Sequence, residues 1–75
     1  MNSNRRKRIA VLVQQLQNIS TELSYLQDEE QEAFDNMPES FQDGERGDVM
    51  QEAIDCIEDA ISSVDEVADS LEEII

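Results

Sequence analysis

Apolar residues recur at alternating intervals of three and four in the first half of the chain: Ile9, Leu12, Leu16, Ile19, Leu23 and Leu26. This spacing is typical of the a and d positions of a heptad repeat, which form one stripe along an α-helix. No glycine or proline occurs from residue 4 to residue 37. The pattern therefore predicts one helix over about residues 4–36, with Ser3 as its N-cap.

The only proline and both glycines of the chain fall between residues 36 and 47. Proline disfavours helical geometry in the residue before it, so Pro38 ends the first helix. The segment of about residues 37–43 is then a connection. Asp43 is the expected N-cap of a second helix that covers about residues 44–74.

The second helix carries the same alternating spacing in a longer series. Its members are Met50, Ala53, Ile57, Ala60, Val64, Val67, Leu71 and Ile74. A second apolar line, spaced by seven, runs beside it through Ile54, Ile61, Ala68 and Ile75. The apolar face of this helix is therefore wider than the stripe of a simple zipper.

A short connection between two long helices makes them antiparallel neighbours. The predicted fold is all-α, a single domain over residues 1–75 that forms an antiparallel two-helix coiled-coil hairpin. Charge agrees with this arrangement, since residues 1–21 hold four basic side chains and no acid, whereas residues 22–75 hold all 19 acids. An antiparallel pairing places Arg5, Arg6, Lys7 and Arg8 beside Glu66, Asp69, Glu72 and Glu73.

A lone hairpin of this size buries little apolar surface and needs further stabilisation. One cysteine and no histidine exclude a disulfide framework and make a zinc site untenable. We therefore expect a homodimer that forms a four-helix bundle; the alternative is a monomeric hairpin with an oversized apolar face. The expected self-association face consists of Ile54, Ile57, Ile61, Val64, Ala68, Leu71 and Ile75.

Catalytic arrangements are missing from the sequence. There is no histidine to act as a base, and the serines lie on predicted helices without a nucleophile elbow. We expect no enzyme activity, no cofactor and no small-molecule substrate. Cys56 occupies the place of Ser63 and Ser70 in a heptad repeat of the second helix, which indicates a small packing residue. A lone cysteine and no apolar run of about 18 residues favour a cytoplasmic protein without a membrane segment.

Acidic residues cover the outer faces of the second helix. The candidate partner-binding surface is formed by Asp55, Glu58, Asp59, Asp65, Glu66, Asp69, Glu72 and Glu73. Carboxylates at this density can imitate the phosphate rows of a duplex, which carries one charge per about 1.7 Å of axis. The alternative is a solvated face that keeps a small bundle in solution. The basic residues Arg5 to Arg8 favour pairing within the hairpin over a weak contact with nucleic acid or membrane.

Several short segments carry a resemblance across nearly the whole chain. They are the basic start at residues 4–7 (NRRK), the acidic stretch at 28–32 leading to Phe34, the connection at 36–42 (NMPESFQ) and residues 45–47 (ERG). Together they resemble a group of small acidic helical-hairpin proteins encoded by phages and prophages of Gram-positive bacteria. The resemblance implies the hairpin fold and a phage origin, and it carries over no functional residues.

A phage origin suggests an interaction protein by analogy of size and charge with the small acidic inhibitors that phages encode. The leading hypothesis is a DNA-mimic inhibitor of anti-CRISPR or anti-restriction type. It would occupy the basic nucleic-acid-binding channel of a host nuclease or defence protein and would not bind nucleic acid itself. The alternatives are a structural or assembly adaptor that binds a partner helix through its apolar face, and a small DNA-binding accessory that uses Arg5 to Arg8.

Overall fold

The computed structural model describes all 75 residues and contains three α-helices and no strand. Helix α1 spans Ser3–Asp35, the single turn α2 spans Glu39–Gln42, and α3 spans Glu45–Glu72. The prediction of an all-α chain is confirmed. The molecule is a rod of 58 × 14 × 11 Å. None of its helices combines the length and the apolar character needed to cross a membrane.

Both predicted N-caps are wrong by one residue. The side-chain oxygen of Asn2, and not that of Ser3, accepts a hydrogen bond from the backbone N–H of Arg5 at 2.8 Å. At the start of α3 the cap is Gly44, whose extended backbone leads into the helix without a side-chain hydrogen bond. Asp43 instead ends α2. Helix α3 ends at Glu72, two residues before the predicted boundary, which is within the usual spread of helix termini.

The connection is held by backbone hydrogen bonds and by one glutamine. The carbonyl of Pro38 accepts hydrogen bonds from the backbone N–H groups of Phe41 and Gln42. The Gln42 side-chain amide donates to the carbonyl oxygens of Phe34 at 2.9 Å and Met37 at 3.1 Å. Phe34 lies in the last turn of α1, where its carbonyl also accepts a hydrogen bond from the backbone N–H of Met37 at 3.1 Å, and Met37 lies just beyond the helix. Gln42 thus ties the connection to α1.

Gly47, in the first turn of α3, lies directly against the backbone of Gln42. A Cβ atom placed on Gly47 would collide with the Gln42 carbonyl oxygen and would approach the carbonyl carbon to 2.6 Å and the Cα to 2.8 Å. Only glycine permits this contact. It turns the side of α3 that carries residue 47 inward, towards the connection and α1.

Helices α1 and α3 lie side by side and run in opposite directions. Three hydrogen bonds between their side chains establish the register: Gln17 donates to Glu72 at 2.9 Å, Ser20 to Asp65 at 2.7 Å, and Gln27 to Glu58 at 2.6 Å. Residue numbers rise along α1 as they fall along α3. We refer to α1 and α3 together as the helix pair.

The residues of α3 that contact α1 include most of the predicted self-association face. Ile54 and Ala68 share the heptad line of Gly47, and they are only 5% and 3% exposed because they pack against α1. The prediction that this line would face a second copy is therefore wrong. The other members of the predicted self-association face also belong to the contact with α1, apart from Ile75, which is half exposed at the chain end. Those remaining members are part-buried: Ile57, Ile61, Val64 and Leu71.

The contact line on α1 also differs from the predicted seam. Val13 is 4% exposed, whereas its neighbour Leu12 is 52% exposed. The predicted residue is again replaced in the contact by the residue that follows it at positions 19–20 and 26–27. Ile19 and Leu26 are about half exposed, and the part-buried Ser20 and Gln27 take their places against α3. The two lines lie on either side of the part-buried line of Leu16 and Leu23, and periodicity alone could not select between them.

Gly47→Ala tests whether the approach to Gln42 orients α3. Glycine-to-alanine changes inside a helix ordinarily stabilise it by about 1 kcal/mol. Here the added methyl group meets backbone, and we expect a loss of about 1–3 kcal/mol in the free energy of unfolding, measured by urea denaturation. Gly44→Ala is the control, since its Cβ would lie 3.4 Å from the nearest atom. A stabilised Gly47→Ala variant would contradict the account.

Val13→Ala and Val11→Ala form a matched pair that tests the contact line of α1. Both remove the same two methyl groups from the same helix, but Val13 is buried and Val11 is 58% exposed. We expect Val13→Ala to lower the free energy of unfolding by about 2 kcal/mol and Val11→Ala to change it by less than about 0.5 kcal/mol. Equal effects would show that Val13 does not face α3.

Candidate interaction surfaces

The helix pair has two flanks with different chemistry. In an antiparallel pair with heptad spacing, the contact line between the helices is formed by the a and d positions. The e positions of both helices, which follow d, border one side of this line, and the g positions, which precede a, border the other side. The first side carries the hydrogen bonds from Gln17, Ser20 and Gln27, and we call it the polar side. The second, which we call the apolar side, is formed by Leu12, Ile19 and Leu26 of α1 with Val67 and Ile74 of α3.

The acids of α3 lie on the polar side and on the outer face next to it. All eight residues of the predicted acidic surface are exposed. Three of them, Glu58, Asp65 and Glu72, accept the hydrogen bonds from α1. Asp55 accepts one from Gln51 of its own helix at 3.2 Å. The remaining four have no side-chain hydrogen bond: Asp59, Glu66, Asp69 and Glu73. The predicted surface therefore divides into three acids that bind α1, one that bonds within α3, and four that are free.

The charge density of α3 approaches that of one nucleic-acid strand. Its 28 residues include ten carboxylates and one arginine. At 1.5 Å per residue the helix is about 42 Å long, so there is one carboxylate per about 4 Å. A single strand of B-DNA carries one phosphate per about 3.4 Å. No Lys or Arg side chain lies within 4.0 Å of any carboxylate oxygen, so no ion pair neutralises this charge.

The apolar side forms a strip of large apolar side chains over residues 12–26 of α1 and residues 67–74 at the end of α3. Its five side chains are each about half exposed. Three shallow depressions follow one another along α1, and each includes one of its members: Leu12, Ile19 or Leu26. The flanking line of α3 carries no charge and consists mainly of small side chains: Val49, Cys56, Ser63 and Ser70. The sequence pattern placed Leu12, Ile19 and Leu26 in the seam and so missed this surface.

The basic residues lie beyond the end of α3. Gln17 is level with Glu72, and Arg8 precedes Gln17 by nine residues, or about 13 Å of helix. Helix α3 ends at Glu72. The predicted pairing of Arg5 to Arg8 with the acids of α3 does not occur within the chain. Arg5 and Arg8 instead border the first depression, together with Met1, Ile9 and Leu12.

Two further features bear on chemistry. Cys56 is an exposed free thiol on the flank of α3 next to the apolar side, so within one chain it is not the small packing residue that was predicted. No group of three or more potential metal ligands is brought together. At the connection, the Arg46 guanidinium lies 5.9 Å from the centre of the Phe41 ring, within the range of a cation–π contact.

No protein-family model, no curated protein and no solved structure matches this chain. Its surfaces are therefore interpreted from their own chemistry.

Proposed function

We propose that this chain is a non-enzymatic phage or prophage protein that inhibits a host nuclease or defence protein by imitating DNA. The acidic surface of α3 would occupy the basic channel in which the target ordinarily binds nucleic acid, in the cytoplasm of the host cell. The observation that carries the proposal is the row of exposed carboxylates on α3, at nearly the spacing of phosphates in one strand, with no basic side chain paired to it.

Electrostatics favours such a target over a neutral one. A rod with a formal net charge of −14 attracts a basic cleft over distances comparable to the Debye length. Complementary charge accelerates association and suppresses binding to acidic or neutral surfaces. Binding of this kind weakens steeply as salt is added. No cofactor, metal ion or small-molecule substrate enters the proposal.

The finer description of the fold is part of the proposal. The helix pair would be a coiled-coil hairpin that joins a second copy in a four-helix bundle. Dimerisation would double the number of acidic surfaces carried by one particle.

Charge reversal on the free acids tests the mimicry. Glu58, Asp65 and Glu72 are unsuitable, because their carboxylates also bind α1. Asp59→Lys with Glu66→Lys changes two carboxylates that have no hydrogen bond. We expect this variant to lose at least about tenfold in inhibition of purified DNA-binding enzymes, with a restriction endonuclease, a uracil-DNA glycosylase and a CRISPR effector nuclease as the candidates assayed.

The control is Asp28→Lys with Glu32→Lys, which makes the same change in net charge on α1. It should retain most of the inhibition, and circular dichroism should show both variants folded. Binding of the chain to the enzyme, measured by pull-down, should also fall sharply between about 0.1 M and about 1 M salt. Full inhibition by the α3 variant, or binding that survives high salt, would exclude DNA mimicry.

The exposed apolar side favours one alternative function, a structural or assembly adaptor that binds a partner helix. Ile54 and Ile61 are unsuitable probes for it, because they lie in the contact with α1. Leu26→Asp is the informative change, since Leu26 is about half exposed on the apolar side. An adaptor would lose its partner in this variant and would hold it in the wild type at about 1 M salt, whereas a DNA mimic would behave in the opposite way.

A further inference from the structure

We propose that the apolar side binds a second copy of the chain in one defined orientation, in which α1 lies antiparallel to α1 of the second copy. The proposal rests on the dimerisation suggested above and is independent of DNA mimicry. It replaces the predicted self-association face with a different set of residues, centred on Ile19 and Val67.

The position of the apolar residues on each helix indicates a second neighbour. The predicted seams of both helices are rotated from the observed contact lines by about 50°, the angle between neighbouring heptad lines. Both rotations are towards the apolar side. In a four-helix bundle the apolar arc of each helix points to the centre of the bundle, between its two neighbours, rather than at one of them. The two helices therefore have the pattern of half a bundle.

The polar residues in the contact between α1 and α3 also indicate a second neighbour. A helix pair that existed alone would gain from burying Leu12, Ile19 and Leu26 in place of Val13, Ser20 and Gln27. Instead, Ser20 and Gln27 face α3 and donate hydrogen bonds to Asp65 and Glu58. The leucines and the isoleucine remain available to another surface.

Two arrangements with a two-fold axis can cover the apolar side. With the axis along the rod, α1 lies against α3 of the second copy, and both basic ends meet at one end of the bundle. With the axis across the rod, α1 lies against α1 and α3 against α3, and the basic ends lie at opposite ends. Neighbouring helices are antiparallel in both arrangements, so helix packing alone does not select between them.

The apolar line of α1 is complementary to itself when reversed about Ile19. Leu12 and Leu26 lie seven residues to either side of Ile19. An antiparallel copy therefore places Leu12 against Leu26 of the second copy, and Ile19 against Ile19 at the two-fold axis. On α3, reversal about Val67 places Ala60 against Ile74 of the second copy, a small residue against a large one.

The line that borders this strip on α1 selects the orientation by charge. It reads Arg8, Gln15, Glu22 and Glu29 at intervals of seven. Reversed against itself, it places Arg8 opposite Glu29 and Gln15 opposite Glu22, so that each carboxylate meets a hydrogen-bond donor. With the axis along the rod, the same line would meet the uncharged flank of α3, and Arg8, Glu22 and Glu29 would have no oppositely charged partner.

This orientation leaves the proposed function intact. The acids of α3 lie on the polar side and outer face, away from the apolar side. Both acidic surfaces would remain exposed in the bundle. Arg5 to Arg8, which find no partner within one chain, would lie alongside the acidic stretch at residues 28–32 of α1 in the other copy.

Disulfide trapping distinguishes the two arrangements. In a Cys56→Ser background, Ile19→Cys should form a covalent dimer under mild oxidation, because residue 19 of each copy lies at the axis. An equimolar mixture of Ile19→Cys and Val67→Cys chains should yield homodimers of each variant and few mixed dimers. Mixed dimers as the main product, with no dimer from Ile19→Cys alone, would establish the other arrangement and overturn the proposal.

Charge exchange tests the pairing that selects the orientation. Arg8→Glu and Glu29→Arg should each raise the dimer dissociation constant about tenfold, and the double variant should restore it. Lys7→Glu and Asp28→Arg are matched controls. They make the same changes one residue earlier, on a line that faces away from the apolar side, and should leave the constant unchanged.

Sedimentation equilibrium provides the measurement and a separate outcome. A wild-type monomer of 8.6 kDa at about 100 µM would overturn the dimer outright. Nuclease inhibition by such a monomer would still support DNA mimicry. A dimer that inhibits nothing would support the interface and exclude the function, so the two failures are distinguishable.

Discussion

The contact between Gly47 and the backbone of Gln42 orients the rest of the structure. Gln42 is tied to the end of α1 through its side-chain amide, and Gly47 lies in the first turn of α3. Their close approach brings α3 back along α1 and determines which side of it faces inward. Because Gly47, Ile54, Ile61 and Ala68 share one heptad line, a single contact at the connection sets the facing side over the whole helix. The buried Ile54 and Ala68 follow from it.

The same rotation separates the chemistry of the two flanks. Once the line of Gly47 faces α1, most of the acids of α3 fall on one flank and on the outer face, and Val67 and Ile74 fall on the opposite flank. The acidic flank is held to α1 by neutral donors, since Gln17, Ser20 and Gln27 supply the hydrogen bonds. Neutral donors suit this chain, whose basic residues lie beyond the end of α3 or at the connection. Hydrogen bonds to a charged acceptor are stronger than neutral ones, which offsets part of the repulsion between carboxylates.

The candidate surfaces were predictable from the sequence to different degrees. Every residue of the acidic surface is exposed as predicted, since a carboxylate without a partner stays in water whatever the rotation of its helix. The self-association face was not predictable. On α3 two apolar lines compete for the contact, and the sequence pattern assigned the wrong one to it; on α1 the pattern assigned the apolar line of Leu12, Ile19 and Leu26 in place of the mixed line of Val13, Ser20 and Gln27. The sequence did not indicate that Ser20 and Gln27 face α3. A polar residue is stable in such a contact only where the other helix supplies a hydrogen-bond acceptor, and this depends on the tertiary structure.

The sequence by itself determined the helices, their break at Pro38, and the separation of four basic residues from 19 acids. These properties depend on local backbone geometry and on the short-range spacing of residue types, both of which are determined by residues close together in the sequence. Only the tertiary structure decided the rotation of α1 and α3 about their axes, the register that leaves Arg5 to Arg8 beyond the end of α3, and the side on which Leu12, Ile19 and Leu26 remain exposed. Those features depend on contacts between residues far apart in the chain. Neighbouring heptad lines differ by about 50°, which is too small a difference for hydrophobic periodicity to resolve.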